Sequence, residues 1–148
     1  MANPPPVLSI KSEITSCFEG PYREYLYGFC PMSTESFTIN PGITKIDYNT
    51  ARFLIESGKC LLIDVREAEE YSEGYIPPAV NLSVNDMTLE NTKKIAPDFA
   101  KPIIIYCRTG RRTRDAARKL KGMGYYYILD MGGISNWPYQ REIPPHNS

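Results

Sequence analysis

The run Cys107-Arg108-Thr109-Gly110-Arg111-Arg112 holds the residues best suited to chemistry: one thiol followed by three guanidinium groups within five residues. Residues 103–106 (Ile-Ile-Ile-Tyr) predict a strand running into it. Residues 112–123 predict a helix running out, with Ala116, Ala117, Leu120 and Met123 at helical spacing. Cys107 is therefore expected at a strand end, facing a helix N-terminus that carries about half a positive charge. That charge and the nearby arginines favour thiolate over thiol, so a nucleophile can form without a histidine base. Gly110 lets the loop curl, and its successive backbone N–H groups can then point inward as an anion cradle. Packing a thiol among apolar groups does not call for Arg108, Arg111 and Arg112 beside it, and cations oppose the helix dipole at an N-terminus unless an anion is held there. The segment reads as a reactive cysteine facing an anion.

Charge along the chain points the same way. The 148 residues contain 17 basic and 17 acidic side chains, a formal net charge of zero. Between Lys101 and Lys121, however, eight basic residues accompany one acidic residue, Asp115, a local balance of +7 against −7 elsewhere. A neutral total argues against a dedicated nucleic-acid binder, and the loop has no interleaved aromatics on which bases could stack. A small anion suits it better. The single histidine, His146, is the third residue from the end of the sequence. Ser-His-Asp catalysis, Cys-His catalysis and histidine-based metal sites are therefore not expected. No metal or organic cofactor is implied.

Cys17, Cys30, Cys60 and Cys107 are too few and too irregularly spaced for a disulfide scaffold or a zinc site built from paired C-x-x-C knuckles. A Cys17–Cys30 pair fits the sequence but not a reducing compartment. Cys60 begins the strand that ends at Asp64, which places it more than about 10 Å from the strand end carrying Cys107, at about 3.3 Å per residue. Packing is its expected role. No apolar run reaches about 18 residues, and the start lacks the charged-then-apolar pattern of a secretory signal. A cytoplasmic protein without a membrane partner is expected.

Residues 1–40 predict an extension to a domain over residues 41–148. Prolines fall at positions 4, 5, 6, 21 and 31 with no clear periodic run, yet Phe18, Tyr22, Tyr25, Leu26, Tyr27 and Phe29 are too apolar for a solvated tail. A strap on the domain surface is the expected arrangement. From Pro41 the pattern becomes regular: a strand over 43–46, a helix over 48–56 capped by Asp47 and ended at Gly58, a strand over 60–65, a short helix over 68–73 and a strand over 79–82. After the strand and helix flanking Cys107, a last strand over 125–129 is predicted, and Trp137 is expected to anchor the C-terminal segment to the core. Strands alternating with helices indicate an α/β domain with a mostly parallel sheet covered on both faces.

These residues resemble the single-domain rhodanese family of sulfurtransferases in order and spacing. The resemblance rests on Leu61-Leu62-Ile63-Asp64-Val65-Arg66-Glu67, on the run from Glu73 to Leu82, on the Cys107 to Arg112 loop, and on Gly132-Gly133-Ile134 with Trp137. It implies a five-stranded parallel sheet with helices on both faces and a cysteine that accepts sulfane sulfur as a persulfide. Cys107 then corresponds to the sulfur acceptor, with Arg108, Thr109, Gly110, Arg111 and Arg112 as its anion-binding loop. Asp64 and Arg66 correspond to an acidic and basic pair beside that loop. The implied substrates are a small anionic sulfur donor such as thiosulfate and an acceptor that is cyanide or a thiol, small or protein-borne. Tyr75 and Pro78 depart from the family's usual histidine and glycine, and changed local packing is expected there. Two other readings share the loop: phosphatase or arsenate-reductase chemistry, and a non-catalytic sulfur carrier or regulatory module. Phosphatase loops place five residues between cysteine and arginine, whereas four separate Cys107 from Arg112 here.

Overall fold

The computed structural model describes residues 4–14 and 33–144. Its centre is a five-stranded sheet of β3 (Gly42–Lys45), β4 (Leu61–Asp64), β5 (Val80–Asn81), β6 (Ile103–Cys107) and β7 (Tyr127–Gly133). The spatial order is β3-β7-β6-β4-β5, and all four pairings are parallel. Helices α1 (Tyr48–Ser57), α2 (Ala68–Ser72), α3 (Leu89–Ile95) and α4 (Arg112–Met123) connect them. This is the rhodanese-like α/β fold that the sequence predicts. Among the described residues, no helix is long and apolar enough to cross a membrane.

Strand β6 is buried along its whole length, as expected for a continuous β-branched run with layers on both faces. Its side chains alternate between two cores. Ile104 and Tyr106 pack with Leu54 of α1, Leu129 and Trp137, while Ile103, Ile105 and Cys107 pack with Ala116, Ala117 and Leu120 of α4. Helix α1 begins as predicted, with the Asp47 side chain accepting from the Thr50 N–H at 2.8 Å, and ends at Gly58 in the left-handed conformation. Helix α4 has the predicted bounds.

Four elements differ from the sequence expectation. Strands β1 (Leu8–Ile14) and β2 (Ser33–Ile39) form an antiparallel pair ahead of the sheet, where no strand is predicted. Ile10 and Ile39 are buried in the α1-side core, so few residues carry the apolar signal. The suggested Cys17–Cys30 pair lies outside the described residues. Helix α3 also goes unpredicted: Thr88 caps it by accepting from the Asn91 N–H at 3.1 Å, but Thr92 is its only buried residue and no apolar stripe marks it. The last strand is β7, two residues later than predicted and running on to Gly133. Gly124 caps α4, and Tyr125 packs edge-on against Phe99 before the strand begins. Asp130, Gly132 and Gly133 are poor strand formers by composition, and pairing with β6 overrides that preference. Trp137 is buried against Tyr48 and Tyr139, as expected of an anchor.

Candidate active site

Chain order reverses between β4 and β6. The connection from β4 leads outward to β5, and that from β6 leads the other way to β7. In open parallel sheets, ligands bind beyond the strand carboxyl ends at such a switch point. The register pairs Asp64 with Tyr106, so Asp64-Val65-Arg66 leaves the sheet beside Cys107. The sheet thus brings two distant sequence motifs together.

Cys107 is fully buried, and the loop after it folds back on the sulfur. The Gly110 N–H is directed at Sγ at 3.0 Å, and Gly110 takes φ +91°, a conformation glycine adopts without penalty. Four supports fix the loop. Thr113 Oγ1 donates to the Gly110 carbonyl at 2.9 Å. Ser135 donates from N at 3.2 Å and from Oγ at 2.7 Å to the Arg108 carbonyl. Gly133 is packed so tightly that a Cβ there would lie 2.4 Å from the Arg108 oxygen. Arg112 forms a bidentate pair with Glu70 of α2 at 2.6 and 2.8 Å.

Asp64 and Arg66 form a buried pair at 2.6 Å, and Arg66 also donates to the Gly74 carbonyl at 2.7 Å. The Tyr106 hydroxyl accepts from the Ile76 N–H at 3.0 Å, and burial, then the Asp64 charge, keeps that phenol un-ionised. A cavity of about 320 Å³ opens here, bordered by Arg66, Glu70, Glu73, Arg108, Ser135 and Arg141. Thr109 and Gly110 instead border a second cavity of about 260 Å³ with Arg114 and Asp130. Arg111 is exposed and borders neither, nor does buried Cys107. The predicted residues therefore divide: Cys107 and the loop backbone form the centre, Arg66 and Arg108 one approach, and Arg112 a brace.

Glu70, Ser135, Tyr106 and Arg141 are contributors that motif reading misses. For Glu70 a signal existed, a carboxylate within the first turn of α2, but its partner lies 42 residues away. The Arg112 guanidinium beside it holds the Glu70 carboxyl down at about 2, against an ordinary value of 4.5. In turn Glu70, and more weakly Cys107, hold Arg112 more firmly charged. A group with a depressed native value stabilises the fold fully above its unfolded value, and that contribution fades as pH falls toward the native one. The stability difference between the protein and Glu70→Gln is therefore expected to be about 1–2 kcal/mol at pH 7, constant down to about pH 4.5 and shrinking between there and pH 2. Urea unfolding across that range measures it; a pH-independent difference would exclude the brace.

Cys60 precedes β4 at the opposite end of the parallel strands from Cys107, packs against the α1-side core, and has its thiol pushed up to about 11 by burial. It stays protonated at neutral pH.

Comparison with known proteins agrees with the fold. Residues 48–139 match the rhodanese-like domain family. A sulfurtransferase of Allochromatium vinosum is 33% identical over 97 residues, covering 64% of this chain and 88% of that protein. The thiosulfate sulfurtransferase PspE of Escherichia coli is 30% identical over 74 residues, covering 50% and 70%. Among solved structures, the human single-domain sulfurtransferase TSTD1 superposes with a TM-score of 0.53 at 25% identity, covering 60% of this chain and 88% of that one. Some curated relatives are much longer, and the chain matches only 15–21% of their length. Because the match over residues 48–139 spans more than half of the sequence and the fold agrees with it, the chain belongs to the rhodanese-like domain family.

Proposed function

We propose that the protein moves sulfane sulfur from an anionic donor such as thiosulfate to a cytoplasmic thiol, or to cyanide, through a persulfide on Cys107. The observation that carries this reading is the Gly110 N–H aimed at the Cys107 sulfur from a loop that begins a helix. Negative charge on that sulfur is met by a fixed dipole and by the helix N-terminus. The donor approaches through the cavity bordered by Arg66 and Arg108, the latter adjacent to Cys107 in sequence. The Cys107 thiolate attacks the outer sulfur of thiosulfate. The new S–S bond takes that sulfur, the original S–S bond breaks with its electron pair, and sulfite leaves as an anion stabilised by the arginines. An acceptor thiolate or cyanide then attacks the outer persulfide sulfur and returns Cys107 as thiolate.

Arg112 favours sulfur over phosphoryl transfer. Both of its terminal nitrogens are held by Glu70 rather than turned to a tetrahedral anion, and the loop is one residue shorter than a phosphatase loop. Intact-protein mass after incubation with thiosulfate is expected to rise by one sulfur atom on Cys107 and to fall back on adding cyanide. No gain with thiosulfate or any other sulfane donor would overturn the proposal.

A further inference from the structure

We propose that Arg141 selects the sulfur acceptor, favouring small thiols that carry a carboxylate on the tail; this rests on the persulfide reading above. Arg141 lies beyond residues 48–139, the part matched to the family. It reaches the cavity because the segment after Trp137 is fastened back on the domain. Tyr75 and Glu142 form an antiparallel bridge with reciprocal N–H to carbonyl bonds of 2.7 and 2.8 Å. The Tyr75 hydroxyl also donates to Glu142 Oε2 at 3.3 Å, and its ring stacks on Tyr71 at 4.3 Å. Tyr75 is thus the anchor of the segment that delivers Arg141.

The charges around the cavity then leave a positive remainder. Arg66 is paired with Asp64, and Glu70 with Arg112. Among the described residues, Arg108, Arg141 and Glu73 have no opposite charge within 4.0 Å. Two cations thus face one anion, and both cations are guanidinium groups, whose planar donors match a carboxylate. Arg141 spends a donor on the Ile134 carbonyl, which fixes its position and leaves others free. Size points the same way. A volume of about 320 Å³ falls at the lower end of the roughly 300–1,000 Å³ of small organic ligand sites, more than a bare tetrahedral anion fills.

In the step concerned, the acceptor thiolate attacks the outer sulfur of the Cys107 persulfide. The acceptor gains an S–S bond, the bond to Cys107 breaks, and Cys107 leaves as thiolate, with no net oxidation. The test holds thiosulfate as donor and compares 3-mercaptopropionate, 2-mercaptoethanol and cysteamine, whose tails are negative, neutral and positive. Rates are read as ratios between acceptors within each protein, so a general loss of activity or a difference in thiol reactivity cancels on comparing variants. Relative to the parent, Arg141→Gln is expected to lower the 3-mercaptopropionate to cysteamine ratio by about three- to tenfold, and Arg141→Glu to lower it further. Unchanged ratios in a parent that transfers sulfur would overturn this inference alone. No transfer by the parent to any thiol or to cyanide would overturn the persulfide reading with it.

Discussion

Cys107→Ser is expected to lose thiosulfate-to-cyanide sulfur transfer by roughly a thousandfold or more while keeping its fold. A serine hydroxyl is un-ionised at neutral pH and cannot carry sulfur as a persulfide, so the loss is of the reacting atom itself. Stability should move by no more than about 1 kcal/mol. The substitution is nearly isosteric, and the Gly110 N–H now 3.0 Å from Sγ still faces an acceptor. Initial rates of thiocyanate formation and urea unfolding midpoints measure the two effects separately. Residual transfer within tenfold of the parent would mean that Cys107 is not the carrier.

Gly133→Ala is expected to lower stability by about 2–4 kcal/mol and transfer by about a hundredfold. Its φ of −105° is open to any residue, so the effect comes from space and not from backbone strain. The added Cβ would lie 2.4 Å from the Arg108 oxygen, 2.6 Å from the Thr109 Cα and 2.8 Å from the Arg108 carbonyl carbon. All three are backbone atoms, so relief requires moving either β7 or the loop. Moving the loop shifts the Gly110 N–H relative to the Cys107 sulfur and strains the two Ser135 hydrogen bonds to Arg108. Stability within about 0.5 kcal/mol of the parent, with full activity, would show that the loop is not seated on Gly133.

Much of the fold was legible because it is locally encoded. Asp47 and Gly58 bound α1, the Ala116-Ala117-Leu120 spacing marks α4, and continuous apolar runs mark β4 and β6, since caps and periodicity act over a few residues. The elements that escaped have weak local signals. Helix α3 buries one threonine, β1 and β2 each depend on a partner strand about 25 residues away, and β7 ends in glycines that only its pairing with β6 makes a strand.

The site divides along the same line. The sequence by itself determined the candidate nucleophile proposed here and its immediate setting, because a thiol, a permissive glycine and a helix start lie within one short run of residues. Only the tertiary structure decided what each arginine does. Arg112 is claimed by Glu70 from 42 residues away, Arg66 is held by Asp64 and the Gly74 carbonyl, Arg111 stays exposed, and Arg141 enters through a bridge between Tyr75 and Glu142. A guanidinium group is long and always charged, and its role is set by whichever carboxylate or carbonyl the packing brings within reach. Local sequence does not specify that choice.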